Sequence, residues 1–356
     1  MKINDLLMDA MAKRASDLHI MAGSPPILRI DGELSPQSEF TSITAEEVEE
    51  LFASVTNEEQ QRRFKETLEL DFAHGIPGMG RFRANACMQR GTMGLTFRLL
   101  QPIIPDIEEI GLPDICKDLS LKERGLVLIT GPAGSGKSTT LACMLKYLNS
   151  LRRRRIVTIE DPIEFLFRND KCFITQREIG TDTLDFAAAL KHALRQDPNV
   201  IMLGEMRDLE TIAIALTAAE TGHLILATLH TPSAPQAIDR MIDIFPPYQQ
   251  QQARIQLSTT LEGVLYQTLI PRKSGTGRVA AVEVMIATDA IKNLIREART
   301  AQMWSMMQTG AHYGMQTMDQ SLLHLYHTGF ITLEEALSRC REPETAKKSL
   351  ARSGAV

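Results

Sequence analysis

Ile3, Leu6, Leu7, Ala10 and Met11 recur at helical spacing near the start of the chain, which predicts an amphipathic helix. The period then shortens. Ile27-Leu28-Arg29-Ile30 runs through Asp31-Gly32 to Leu34, a hairpin pattern. Thr44 and Glu47 form a capping-box pair ahead of Val48, Leu51 and Phe52, and a second helix is expected over Glu58–Leu68. From Leu70 to Leu100 strand-like text is punctuated by Gly75, Gly78, Gly80, Gly91 and Gly94, so the first domain is expected to be α+β. Gln101–Gly111, with prolines at 102 and 105, is expected to be an interdomain linker that permits rigid-body motion. Beyond it, the apolar strands Leu126–Thr130, Ile156–Glu160, Val200–Leu203 and Leu224–Leu229 alternate with helical stretches, the signature of an α/β parallel sheet with crossover helices. After Ile286 the pattern is helical throughout. About three helices are expected there, with Met303, Met306, Met307, Met315 and Met318 as core filler.

The length of 356 residues corresponds to two domains at about 150 residues each. Apolar residues at 44% and charged residues at 23% exclude an intrinsically disordered chain. The net charge of −5 supplies no global positive field, which argues against nucleic acid as a partner. Five scattered cysteines without a C-x-x-C pair speak against a disulfide framework and a structural zinc site, and for a reducing compartment. No apolar run approaches the roughly 18 residues needed to span a bilayer, and Asp5 and Asp9 interrupt any signal-like start. A cytoplasmic protein without direct membrane insertion is expected.

The strongest chemical signal is Gly131, Pro132, Ala133, Gly134, Ser135, Gly136, Lys137 and Ser138, followed by Thr139. It fits G-x-x-x-x-G-K-[ST], a strand precedes it, and a helix with Leu141, Leu145, Leu148 and Leu151 follows. Such a loop binds ATP: backbone N–H groups wrap the phosphates, Lys137 reaches the β- and γ-phosphates, and Ser138 supplies an oxygen to Mg²⁺. Val200–Leu203 ends in Gly204-Glu205, a Walker-B-like strand with glycine in place of aspartate, where Glu205 acts on Mg²⁺ through water. Glu160, Asp161 and Glu164 cluster at the end of another strand, and one of them is expected to polarise the attacking water. His230, at the end of LILATL, is a candidate γ-phosphate sensor, while His223 at its start is open between a functional and a buried structural role. The run Arg152–Arg155 reads as a solvated helix end. Arg81 and Arg83 share one strand face and Arg98 lies on another strand; by composition alone all three are surface arginines.

With these residues collected, the chain resembles the type IV pilus retraction ATPases (PilT-like) of the secretion ATPase superfamily over nearly its whole length. The match rests on SDLHI (Ser16–Ile20), GRFRANA (Gly80–Ala86), RGLVLITGPAGSGKSTTLA, TIEDPIEF, QREIGTDT, LRQDPNVIMLGEMRD, TAAETGHLILATLHT and QTG…GMQTMDQSL. The resemblance implies a PAS-like domain over residues 1–104, a linker over 105–118 and a RecA-like ATPase domain over 119–356, helical from about 287. It implies a homohexameric ring acting on an inner-membrane pilus platform protein, alongside a second retraction ATPase. It further implies Glu164 as catalytic base, Glu205 as Walker B acid, and Arg81, Arg83 and Arg98 approaching nucleotide across a domain or subunit boundary. The missing four-cysteine zinc motif favours retraction over assembly or type II secretion. At Ala290–Thr300 the chain reads AIKNLIREART where the family has AIRNLIREGK, so Lys292 keeps the charge without arginine's bidentate fork. An accessory PilU-like retraction ATPase is the nearest alternative; a RecA-like nucleic-acid translocase and a nucleotide-gated scaffold rank below it.

Overall fold

The computed structural model describes residues 2–30, 32–76, 80–99 and 103–352, with side chains described only up to 347. Asp31, Gly78 and Leu100–Pro102, named above in the hairpin, strand and linker readings, lie outside these residues. The chain divides into two compact units, Met1–Ile103 with Glu164–Leu166, and Ile104–Ile163 with Phe167–Val356.

The first unit is built on an antiparallel sheet of β1 (Asp17–Met21), β2 (Ile27–Ile30), β3 (Glu33–Pro36), β4 (Glu69–Ile76), β5 (Gly80–Gln89) and β6 (Thr92–Leu99), ordered β3-β2-β1-β6-β5-β4. The hydrophobic pattern does not predict β1, which lies between β2 and β6. Along β5, Phe82, Ala84 and Ala86 are buried while Arg81, Arg83 and Asn85 point the other way, as a two-residue period requires. The buried face joins Leu7, Val48 and Phe52 from the helices Ile3–Ala12 and Ala45–Val55 in one core. Thr44 and Glu47 do form a capping box.

The second unit contains β7 (Gly125–Thr130), β8 (Arg155–Glu160), β9 (Phe173–Glu178), β10 (Val200–Leu203), β11 (Leu224–Leu229), β12 (Leu261–Pro271) and β13 (Arg278–Ile286), ordered β13-β12-β7-β11-β10-β8-β9. All pairs are parallel except β12 with β13. Helices cover both faces, so β7, β10 and β11 are buried at every position and read as unbroken apolar runs. From β7 the chain proceeds to β8 on one side of the sheet and later to β12 on the other. The loop after β7 therefore sits at a switch point, where open parallel sheets bind ligands.

Three expectations need correction. The proposed linker is packed: Ile107, Leu112, Cys116 and Leu119 are buried in the second unit's core, and Ile115–Ser120 is a helix against Lys137–Leu151. Apolar side chains in that segment outweigh its prolines. Arg154 is not solvated, since its guanidinium pairs with Glu123 at 2.5 Å and donates to Lys122 O at 2.7 Å, while Arg155 stacks over Phe173. The C-terminal region holds five α-helices among the described residues, from Asp289–Arg296 to Pro343–Arg352. Met303, Met307 and Met315 are buried there, but Met306 is exposed.

Candidate functional site

Gly131 follows β7 with φ +148°, and a Cβ there would lie 2.2 Å from Gln267 O. Gly134 and Gly136 have φ of +72° and +87°, and a Cβ on Gly136 would meet Gln267 Nε2 at 2.9 Å. Glycine is thus demanded by backbone conformation and by the close approach of β12. Gln267, buried on β12, clamps the loop: its Nε2 donates to Ser135 O at 2.8 Å and its Oε1 accepts from Thr140 Oγ1 at 2.6 Å. Lys137 donates to Gly131 O and Pro132 O at 2.9 and 2.8 Å, which holds its ammonium at the mouth of the loop. Pro132, Ala133 and Gly134 are exposed at the tip, and Ser138 and Thr139 lie half-buried in the first helical turn.

The ends of β7 and β11 are joined by Thr130 and Thr231, whose hydroxyls lie 2.7 Å apart while Thr231 N–H donates to Thr130 Oγ1 at 2.9 Å. This junction carries His230 to the loop. His230 Nδ1 lies 3.5 Å from Lys137 Nζ, and its Nε2 lies 3.7 Å from Glu205 Oε2. Burial pushes the His230 pKa down, and the Lys137 and Arg207 charges push the same way against Glu205. Glu205 also pairs with Arg207 at 2.7 Å. A Cβ on Gly204 would meet Glu160 Cα and Ile159 O at 3.4 Å, so the end of β10 is crowded where Walker B strands usually place their carboxylate.

The loop fits a polyphosphate. Its three positive-φ glycines give the loop a turn conformation that side-chain-bearing residues rarely adopt, Lys137 supplies the positive charge, and Ser135 Oγ is buried with no hydrogen-bond partner among the described residues. Ser138 and Glu205 are oxygen donors of the kind Mg²⁺ takes.

Residues 1–338 match the family described as type II/IV secretion system protein. The chain belongs to this family. It is 49% identical to the type IV pilus retraction ATPase PilT of Pseudomonas aeruginosa, over 97% of this chain and 99% of that protein. It is 43% identical to the type IV pilus ATPase PilU of the same organism, over 96% of this chain and 91% of that protein. The crystal structure of the pilus retraction motor PilT with bound ADP superposes with a TM-score of 0.91 at 46% identity, covering 98% of this chain and 99% of that one. The fold is accordingly mixed α/β, with an N-terminal domain and a RecA-like ATPase domain.

Within this secretion-system ATPase, Lys137, His230 and Glu205 come together in the second unit. Glu160 is taken up structurally: it is buried and accepts from Thr158 Oγ1 at 2.5 Å and Gln176 Nε2 at 3.1 Å. Glu164 is exposed in the loop after β8 and groups with the first unit. His223 lies at the opposite end of β11 from the loop, where its Nδ1 is 3.0 Å from Ala218 O, so its role is structural. Arg83 and Arg98 face each other in the β5–β6 register. Arg98 Nε donates to the buried Asp17 at 2.9 Å. Among the described residues no helix is long and apolar enough to cross a membrane. Sequence reasoning overlooked Gln267, Arg207 and the Thr130–Thr231 junction, none of which the local pattern singles out, since β12 also carries Glu262 and Thr268.

Proposed function

We propose that this chain is the motor ATPase of type IV pilus retraction, coupling ATP hydrolysis to removal of pilin subunits. The observation that carries the reading is the convergence of Lys137, His230 and Glu205 beside a loop built around Gly131 and Gly136. Support for the direction of work comes from the near-complete overlap with a relative named for retraction. The backbone N–H groups of 131–138 and Lys137 bind and neutralise the phosphates. Ser138 directly and Glu205 through water would hold Mg²⁺, which supplies further neutralisation of the β- and γ-phosphates. Glu164 accepts a proton from the attacking water as the water oxygen bonds to the γ-phosphorus and the bond from that phosphorus to the β–γ bridging oxygen breaks, the electron pair leaving on ADP, to give ADP and phosphate. His230 senses the γ-phosphate, and Arg81, Arg83 and Arg98 contribute positive charge to the transition state.

The working form is a homohexamer on the cytoplasmic side of an inner-membrane pilus platform. Specific ATPase activity should therefore fall on dilution as the ring dissociates. Deletion in the host, followed by imaging of labelled pili, tests the function: persistent fibres that do not retract are expected, whereas loss of fibres would assign the chain to assembly. A second reading, an accessory retraction ATPase, is favoured by the similarity to PilU. It predicts that retraction persists in the deletion strain at low load and fails under high load.

A further inference from the structure

Glu283 lies on β13 opposite Tyr266 in the β12–β13 register, and only 4% of its surface is exposed. A carboxylate at that depth requires hydrogen-bond donors. It finds one at a helix start. Its Oε1 accepts the backbone N–H of Ala234 at 2.7 Å. Ala234 opens the helix Ala234–Asp243, and Met318, whose backbone favours the charged form of the carboxyl, opens the helix Met318–His327. The carboxylate thus faces the positive ends of two helix dipoles. Burial holds the Glu283 carboxyl above the usual carboxylate range, even with these backbone groups and Arg341 pulling the other way.

The geometry matters because only Thr231, Pro232 and Ser233 separate Ala234 from His230. The segment is pinned at its upstream end by the Thr130–Thr231 hydroxyl pair and at its downstream end by Glu283. On the far side of Glu283, the C-terminal helices grip β13 through the Val284–Gln316 backbone bridge and through Val282 N–H donating to Ser321 Oγ at 3.0 Å. A cavity of about 540 Å³, lined in part by Asp239, Trp304, Asp319 and Arg341, adjoins the carboxylate. The surroundings of Glu283 are therefore not close-packed on every side, and its bond to Ala234 N–H adds to the core packing of Ala234, Ala237 and Ile238 in fixing where that helix starts.

We infer that Glu283 is a positioning residue for ATP hydrolysis: by holding Ala234 N–H from β13 it fixes the segment that brings His230 to Lys137 and Glu205, and it ties that segment to the strand on which the C-terminal helices are anchored. The inference rests on the proposed role of His230 in ATP turnover. A carboxylate that merely caps helices would affect the folded fraction; one that positions His230 affects turnover in the folded enzyme, and only while His230 is present.

The test is a double-mutant cycle on the purified full chain, with kcat and KM for ATP measured well below each variant's unfolding temperature. Glu283→Leu should lower kcat about tenfold and leave KM within about twofold, and Glu283→Gln, which keeps one acceptor oxygen, should recover part of the loss. In a His230→Ala background neither change should lower kcat by more than about twofold. Should Glu283→Leu fail to fold, Glu283→Gln carries the same comparison. A full tenfold loss that persists without His230, or unchanged kcat in stably folded variants, overturns the positioning role and leaves the ATPase reading standing. Absence of ATP hydrolysis by the wild-type chain overturns both.

Discussion

His230 accepts from Lys137: its Nδ1 lies 3.5 Å from an ammonium that can only donate, which places the ring proton on Nε2, facing Glu205 at 3.7 Å. The imidazole is neutral in this arrangement, as the downward push from burial and from Lys137 also favours. It can therefore stay beside Lys137 without repelling it while its Nε2–H faces the Glu205 side. His230→Ala should lower kcat by about 10- to 100-fold, the range of one positioned donor, with a much smaller effect on ADP affinity. Equal losses in kcat and in ADP binding would instead make His230 part of the phosphate cradle.

Gln267 offers a test of the loop itself. Replacing it with Leu leaves Ser135 O and Thr140 Oγ1 without their partner in a buried setting, at a cost of about 1–3 kcal/mol. The loop loses its clamp in the same step. Denaturant titration should show that destabilisation, and KM for ATP should rise more than kcat falls. Unchanged ATP affinity in a destabilised variant would limit Gln267 to a structural role.

How much of this was legible beforehand depended on range. Gly131–Ser138 announces itself because the glycines, Lys137 and Ser138 are dictated within eight consecutive residues by phosphate and by turn geometry. Gln267 lies more than a hundred residues away, and its partnership exists only because β12 pairs with β7. The linker was misjudged because prolines outweighed the spacing of Ile107, Leu112 and Cys116, whose burial depends on a helix formed later in the chain. The helical pattern after Ile286 gives no sign of the break in the chain after Arg296, where Ala298 adopts φ +56°, a left-handed stop that no glycine advertises. Arg83 and Arg98 are adjacent through strand register, which the spacing of residues in one strand does not encode.

Asp17 predicts a pH dependence in the first unit. Burial pushes its pKa up, but the Ser16 hydroxyl and the Arg98 guanidinium outweigh it, so the carboxyl titrates below its ordinary value. A depressed folded-state pKa contributes stability that is present above the unfolded value, near 4, and lost as pH falls through the folded value. Arg98 is 69% exposed, so solvent screening holds the effect of Asp17→Asn to about 1 kcal/mol at pH 7. The gap between the two proteins should narrow as pH falls below about 4 and close once it has passed through the depressed folded value. A constant gap from pH 7 to pH 3 would show that packing, not charge, is what the substitution disturbs.

Lys137→Ala and Glu164→Gln separate binding from chemistry. Lys137→Ala removes phosphate neutralisation, and both tight ATP binding and turnover should vanish while the circular dichroism spectrum is kept. Glu164→Gln should leave ATP binding in place and lower turnover by about 10²-fold or more, as loss of a general base requires. If Glu164→Gln lost nucleotide binding with no separate defect in turnover, the base would have to be sought among other carboxylates.

The helix Asp289–Arg296 separates a packing role from an output role. Ile291, Leu294 and Ile295 are buried in the second unit's core, so Ile295→Ala should cost about 2–4 kcal/mol and says nothing about partners. Arg296 is exposed on the same helix, one turn after the half-buried Lys292, and its guanidinium makes only a long hydrogen bond of 3.3 Å to Asn293 among the described residues. Substituting Arg296 leaves the core intact. Arg296→Glu should therefore keep thermal stability within about 0.5 kcal/mol, as surface changes do. It should also hold purified ATPase activity within about threefold, since no phosphate contact is lost. In cells the reversed charge should abolish pilus retraction, because Arg296 is exposed for a partner and keeps the arginine of the family's AIRNLIRE segment while touching no phosphate-handling residue. A stable, fully active Arg296→Glu enzyme that retracts pili at the normal rate would place the output surface on another helix.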